Sequence, residues 1–320
     1  MRKYLLLGLI GFIGIHGASF AQDWPARQPV RIIVTNTPGS ALDLTTRVVF
    51  ADVSRQIGQA TVVENRAGAG NTIGIGAVAR SEPDGYTFLA TTSAIAITPH
   101  THKDLPYDTA RDLRAVFALG NVTNVMVTPA GRFKSLQDFV AAAKARPDAL
   151  SYASIGTGST GHLSAERLGL SAGFRALHVP FKGSPEAVRD VAAGRVDFFF
   201  TPIVPAMGLI RENKVDALVV SSSNRSSLLP NVPTTVQAGY LNSHYDFWLG
   251  IFAPSATPQA IVNRLYDELR KASQAAEVKD RLAKLGVEPM EMTRERFAAY
   301  VQEETQLNAG LVKAAKIAAE

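Results

Sequence analysis

The sequence predicts an α/β protein of two domains, on three observations. Short apolar, β-branched runs alternate with longer amphipathic segments, the rhythm of β-α-β units. The runs are apolar along their whole length rather than at alternate residues, as in strands buried on both faces of a helix-covered parallel sheet. The chain has 320 residues, which at about 150 residues per core leaves room for two.

The first element is a leader. Arg2 and Lys3 precede an apolar run over 5–15 and the small-residue stretch Ala18-Ser19-Phe20-Ala21. This reads as a signal peptide, residues 1–21, cleaved after Ala21. The run is shorter than the roughly 20 apolar residues of a membrane span. The best later run, 196–210, carries Asp197, Pro202 and Pro205, so no membrane insertion of the mature chain is expected. The chain has no cysteine, which excludes disulfides, thiolate zinc sites and a lipid anchor at the cleavage point. The expected compartment is the periplasm of a Gram-negative cell.

Strands are then expected at VRIIV (30–34), TVVEN (61–65), YTFLATT (86–92), LSYAS (150–154), ALHVP (176–180), VDFFF (196–200) and ALVVS (217–221). Ligands of open α/β sheets bind at the carboxyl ends of the strands, where loops and helix N-termini gather. Five of those loops read TNTPGS, TTS, SIGTGST, FKGS and TP. Each holds Ser, Thr or Gly at its end, with Pro185 after Ser184 and Pro202 after Thr201, the signature of helix N-caps. One cap merely starts a helix. Five loops rich in hydroxyls and free N–H groups form a pocket suited to a carboxylate or phosphate.

Other chemistries lack a required part. Gly156, Gly158 and Gly161 have the G-x-G-x-x-G spacing, but ALHVPFKG offers His178 and Lys182 where a dinucleotide site needs an acid about 20 residues on. Around Ser159 the order Thr157-Gly158-Ser159-Thr160-Gly161 lacks the first Gly of G-x-S-x-G, and His162 belongs to the same helix start rather than to a separate loop. His100 and His102 have no third metal ligand and are expected to be solvated. A net charge of +5 without a dense basic run argues against nucleic acid. VENRAGAGNTIG lacks the Lys-Ser/Thr ending of a P-loop and reads as a turn tied by Glu64, Asn65 and Arg66. Ser40 and Asp43 form a capping box.

Eight stretches together carry a resemblance: PGSALDLTTR (38–47), VVENRAGAGNTIG, PDGYTFL (83–89), YASIGTGSTGHLSAE, HVPFKGS (178–184), VAAGRVDFFF (191–200), LPNVPT (229–234) and FWLGIFAPSATP (247–258). In this order the chain resembles the Bug, or tripartite tricarboxylate transporter (TctC-like), periplasmic solute-binding proteins. The resemblance implies a two-lobed type II periplasmic-binding-protein fold with two crossover strands, VMVTP and FWLGIFAP. Lobe 1 would comprise 22–124 and 247–320, and lobe 2 would comprise 125–246. It implies a monomeric receptor without catalysis, cofactor or metal. Such a receptor closes on a small mono- or dicarboxylate for membrane transporter subunits or a sensor. The ligand would rest on two loops, Thr37, Pro38, Gly39, Ser40 and Thr157, Gly158, Ser159, Thr160; of the cap-loop residues, Ser93 and Thr201 are read as lining the same site, and Asp43 and His162 either touch the ligand or only cap their helices. Two positions depart from the family pattern: Ser40 replaces a Gly, and Thr201 replaces an Asp that could neutralise an ammonium. A buried ammonium without a partner is costly, so amino acids are expected to be disfavoured. The alternative is a secreted hydrolase or nucleotide-dependent oxidoreductase using the GTGSTG loop.

Overall fold

A computed structural model describes residues 24–314; the signal peptide expected at 1–21 lies outside the described residues. The first half contains β1 (Val30–Val34), α1 (Ala41–Ile57), β2 (Thr61–Asn65), α2 (Thr72–Ala79), β3 (Thr87–Thr92), the one-turn helices α3 (Thr98–Thr101) and α4 (Thr109–Asp112), β4 (Leu113–Val122), β5 (Asn124–Pro129), α5 (Leu136–Ala145) and β6 (Ser151–Ser154). The second contains α6 (Thr160–Ala172), β7 (Leu177–Pro180), α7 (Ser184–Ala192), β8 (Phe198–Pro202), α8 (Ile203–Arg211), β9 (Val215–Val220), β10 (Trp248–Pro254), α9 (Gln259–Gln274), α10 (Ala276–Lys284), β11 (Val287–Glu288) and α11 (Arg294–Ala314).

The strands form two sheets, in the orders β11-β4-β10-β3-β1-β2 and β7-β6-β8-β5-β9. Neither is the all-parallel sheet that the apolar runs suggest. β1 is parallel to β2 and β3, and β6 to β7 and β8, but β10 runs antiparallel to β3 and β4, and β5 antiparallel to β8 and β9. Parallel neighbours need a long crossover over their own sheet. β5 and β10 each arrive from the other sheet, so no such crossover dictates their direction.

Full-length apolarity has a direct cause, because each sheet is covered on both faces. Ile32 and Val34 enter one core with Phe50, Phe88 and Leu265, while the intervening Ile33 packs with Leu89, Trp248 and Phe297 against α11. In the second sheet Phe198 and Phe200 join Phe139 and Leu168, whereas Phe199 joins Val188 and Ile203. Each fully buried Phe stabilises the fold by about 1.5–3 kcal/mol.

The chain leaves the first sheet at Val122 and enters the second at Asn124. It returns between β9 and β10, and the two passages are joined by Val122 N–H donating to the Phe247 carbonyl at 2.9 Å. A small cluster of Ile97, Leu163, Tyr245, Leu311 and Val312 brings α6 of the second sheet against α11 and the segment after β3. No helix among the described residues is long and apolar enough to cross a membrane.

Candidate functional site

The loop after β1 is shaped by one left-handed residue and one carboxylate. Gly39 has φ +80°, and Ser40 (φ −69°, ψ 161°) caps α1, its Oγ accepting the Asp43 N–H at 3.3 Å. The Asp43 carboxylate reaches back to accept the Gly39 N–H at 2.9 Å, and its other oxygen accepts from Arg47 Nε and Asn65 Nδ2, both at 2.9 Å. Burial pushes the Asp43 pKa up, but the bonds from Gly39, Asn65 and Arg47 outweigh it and hold the group below the usual carboxylate range. The expected capping box is present with one change: the carboxylate takes the N–H of Gly39 rather than that of the cap residue. Thr37, Pro38 and Gly39 are exposed.

The loop after β6 repeats this arrangement. Gly158 has φ +76° and Ser159 (φ −67°, ψ 158°) is the N-cap residue of α6. The Gly158 N–H donates to His162 Nδ1 at 2.9 Å, and the Ser159 N–H to the Gly156 carbonyl at 3.2 Å, as Ser40 N–H does to Thr37. The difference lies at the cap, because Ser159 Oγ is buried without a hydrogen bond. The N–H groups of Thr160, Gly161 and His162 likewise meet no acceptor among the described residues. The 13-residue helix α6 therefore presents unsatisfied donors and its partial positive charge at this loop. The N–H groups of Gly158 and Ser159 are used inside the loop and are not among the free donors.

The three glycines have backbone reasons. Gly156 and Gly158 adopt positive φ, and a Cβ on Gly161 would stand 2.5 Å from the Phe200 carbonyl oxygen. Glycine there lets the head of α6 lie directly on β8.

Two imidazoles support the second loop from below. His162 stacks on His178 at 4.3 Å between ring centroids, and His178 on Tyr152 at 5.0 Å. His178 Nε2 lies 2.6 Å from Ser154 Oγ, which also accepts the Gly156 N–H at 3.0 Å. Burial, helped by the His178 ring, depresses the His162 pKa to about 4, and burial lowers that of His178, so both rings are neutral at pH 7. With Nδ1 accepting, the His162 proton sits on Nε2. Ser159 makes no hydrogen bond to it, and the serine that meets an imidazole here is Ser154, on His178.

The remaining expected residues are buried. Ser93 begins a 3-10 helix, Ser93–Ala96, and is 1% exposed. Its hydroxyl lies against Tyr245, whose pKa burial raises and Ser93 tempers. Thr201 is 0% exposed with Oγ1 unpartnered. It is a strand residue of β8 rather than a helix cap, because pairing with Val125 keeps it in the sheet and Pro202 becomes the cap of α8. Ser184 is likewise inside α7, which Gly183 caps.

Adjacent strands β1 and β3 hold the Thr37–Asp43 loop near Ser93, and the Gly161–Phe200 contact holds the Thr157–His162 loop near Thr201. Both groups approach the Ile97–Leu163–Tyr245 cluster, while no hydrogen bond among the described residues joins the two loops.

Sequence reasoning misses Asn124, Ser164 and Asn308, all buried with unpartnered side-chain polar atoms. Each such group costs about 1–3 kcal/mol; a polar side chain inside a buried run, as Asn124 is in NVMVTP, is the signal that could have found them. His100 is not solvated, since its Nε2 lies 2.8 Å from the Thr305 carbonyl. Asn65 Nδ2 also donates to the Asn36 carbonyl at 2.9 Å, and Arg66 to Glu64 at 2.7 Å, which ties the second glycine-rich turn as expected. No metal-holding group of three His, Cys, Asp or Glu occurs among the described residues.

Charged groups gather where the chain returns to the first sheet. Arg167 of α6 donates to the His244 carbonyl at 2.8 Å and lies 3.9 Å from Glu304 of α11. Burial raises the Glu304 pKa to about 7, against the pull of Arg167. Asp246 accepts from Ser223 Oγ at 2.7 Å and from Tyr300 at 3.0 Å.

The comparisons agree with this architecture. The model of the tripartite tricarboxylate transporter family receptor matches residues 45–317. Protein BugT of Bordetella pertussis is 34% identical over 320 residues, 98% of either chain. The solved structure of R. palustris Rpa4515 with adipate has a TM-score of 0.77 and 30% identity, covering 92% of this chain and 99% of that one. MatC (Rpa3494) from Rhodopseudomonas palustris with bound malate has 0.72 and 29%, covering 90% and 99%. With two helix-covered sheets, a family match over most of its length and a full-length relative above 30% identity, the chain belongs to the tripartite tricarboxylate transporter receptor (TctC) family of two-lobed solute-binding proteins.

Proposed function

We propose that the protein is a monomeric, non-catalytic periplasmic receptor that captures a small organic carboxylate between its lobes for membrane transporter subunits or a sensor. The observation that carries this reading is the head of α6: a serine in N-cap geometry that does not cap, above three unpaired N–H groups. Such a helix start favours an anion. Adipate and malate in two relatives support a carboxylate in particular. The lobes are assigned as 22–124 with 247–320 and 125–246, hinged where Val122 meets Phe247. The leader, residues 1–21, directs export.

The ligand class is a plain mono- or dicarboxylate. Thr201 offers an ammonium no charge, and the Asp43 carboxylate is engaged by Gly39, Arg47 and Asn65. The alternative, a hydrolase working through Ser159, would need a base there, and the Ser159 hydroxyl meets no imidazole.

Mass spectrometry of ligand released from the purified mature chain, followed by calorimetry with adipate, malate, benzoate, aspartate and glutamate, tests the reading. One-to-one binding of a carboxylate, with both amino acids weaker, is expected. Saturation at 100 times the dissociation constant should add about 2.7 kcal/mol to stability. Failure to bind any acid, or ester turnover abolished by Ser159→Ala, would remove it.

A further inference from the structure

We propose that the seam between α6 and α11 is a proton-binding site, in which Glu304 takes up a proton as the ligand draws the lobes together. This rests on the receptor reading above. Glu304 of α11 is 2% exposed, and Arg167 of α6 stands 3.9 Å from its Oε1, outside hydrogen-bond reach. Arg167 is turned to the return passage instead: Nη1 donates to the His244 carbonyl at 2.8 Å, and its guanidinium carbon lies 5.5 Å from the Tyr245 ring centroid. The other Glu304 oxygen, Oε2, is buried without a hydrogen-bond partner. A carboxylate kept from water and given no direct donor is poorly solvated, whereas the neutral acid asks only for an acceptor for its O–H. Asn308, one turn further along α11, is wholly buried with Oδ1 and Nδ2 both unpartnered, and its amide oxygen is an acceptor at the right spacing.

The other titratable groups facing Glu304 are His244, Tyr245 and Asp246 of the return passage and Tyr300 and Glu303 of α11, while His100 of α3 is held by the Thr305 carbonyl. Burial lowers the His244 pKa and raises those of Tyr245 and Tyr300, so all three are neutral at pH 7. Asp246 has its own donors in Ser223 and Tyr300. Burial raises the Glu304 pKa to about 7; Arg167 opposes the rise, and Asp246 and Glu303 add to it. Leu163, in the first turn of α6, packs with Ile97, Tyr245, Leu311 and Val312, so the seam is packed while the head of α6 stands over the first lobe. Parting the lobes draws α6 off α11 and lets water reach Glu304, whose pKa then falls back toward the ordinary 4.5. The packed state thus binds the proton more tightly than the parted one. By linkage, a ligand that favours the packed state binds best while Glu304 is protonated, and its affinity falls as pH rises through 7, by about tenfold between pH 6 and 8.

The test is calorimetry on the full-length mature protein with adipate as the probe, or malate in its place if adipate does not bind. Titrations at pH 7 in two buffers of different ionisation enthalpy should show uptake of about half a proton per ligand. Glu304→Gln, a neutral copy of the protonated acid, should abolish the uptake and bind at pH 8 as tightly as wild type does at pH 6. The ligand's own titration is common to both proteins and cancels. Thermal unfolding verifies that the variants fold. If Glu304→Gln does not fold, Arg167→Gln decides: without the opposing cation the fall in affinity should move to higher pH, and an unmoved profile overturns the site. Ligand binding by wild type without proton uptake, or with release, overturns it and leaves the receptor reading intact, as does a Glu304→Gln protein that keeps the wild-type pH slope. A wild type that binds neither acid removes both readings.

Discussion

Replacing Gly161 with alanine tests whether the head of α6 owes its position to direct contact with β8. A Cβ on Gly161 would stand 2.5 Å from the Phe200 carbonyl oxygen and 3.0 Å from Cε2 of Phe199. Carbon and a carbonyl oxygen approach comfortably to about 3.3 Å, so helix and strand must separate by roughly 0.8 Å. The closest obstacle is backbone of a buried strand, which cannot swing aside as a side-chain tip can. Overpacking of this kind costs about 1–3 kcal/mol, and alanine's helix propensity returns about 1 kcal/mol at most. Stability should thus fall by about 1–2 kcal/mol. The same displacement moves the N–H groups of Thr160, Gly161 and His162. Losing one charge-assisted hydrogen bond, about 1.5–3 kcal/mol, corresponds to carboxylate binding roughly 10- to 150-fold weaker. Calorimetry with adipate and thermal unfolding read the two effects separately. Gly208→Ala in α8, where an added Cβ meets nothing within 4 Å, is the control and should stabilise slightly without changing affinity. A Gly161→Ala protein with wild-type stability and affinity would refute the reasoning.

Three further outcomes are expected. Ser40→Ala, which removes a working cap, should cost about 1 kcal/mol of stability. Ser159→Ala removes an unpartnered hydroxyl, so its loss should appear in ligand affinity instead, about 0.5–1.5 kcal/mol by calorimetry. Thr201→Asp puts a carboxylate into a wholly buried site; it should weaken adipate binding at least tenfold, and a relative gain for aspartate or glutamate would show that the ammonium site has been restored. Stability should depend on pH in two opposed ways. The folded pKa of His162, about 4, lies below the ordinary 6.5, so its contribution is present above pH 6.5 and lost as pH falls through 4, roughly 3 kcal/mol in all. Glu304, raised to about 7 from 4.5, contributes fully below pH 4.5 and loses that contribution as pH rises through 7. Denaturant unfolding between pH 4 and 8 should show a flatter acid limb in His162→Asn and a flatter alkaline limb in Glu304→Gln.

The sequence was most legible where burial on both faces leaves one kind of residue to use. VRIIV coincides with β1 because Ile32 and Ile33 enter opposite cores, whereas TVVEN forms the edge strand β2, where Val62 is exposed and only β-branched character marks the strand. The ten-residue β4 escapes the same reading, since Arg114, Gly120 and Asn121 interrupt its apolar run. Its place comes from β10, a partner more than 100 residues away, and such pairing leaves no local trace. The same cause misplaced Thr201: Thr-Pro before an apolar run looks like a helix start, but pairing with β5 draws both residues into the sheet. At the candidate site, the glycines and serines marked two turns before helices, and the structure has turns there. Which N–H groups remain free was not legible, because it depends on where the Asp43 and His162 side chains point.

One helix links the site to the posture of the lobes. The head of α6 carries the unpaired donors, Leu163 lies in the cluster with Tyr245 and α11, and Arg167 meets His244 and Glu304 at the return passage. These positions fall within two turns of a single helix, which moves as a rigid body. On the proposed hinge at the Val122–Phe247 junction, rotation of the second lobe would slide α6 along α11 and carry the proposed anion-binding end with it. A charge held at the head of α6 and bridged by the first loop opposes that slide. Under that proposal the packed side chains of α6 would couple ligand capture to the return passage, and the buried Arg167–Glu304 pair sits where the two helices would part.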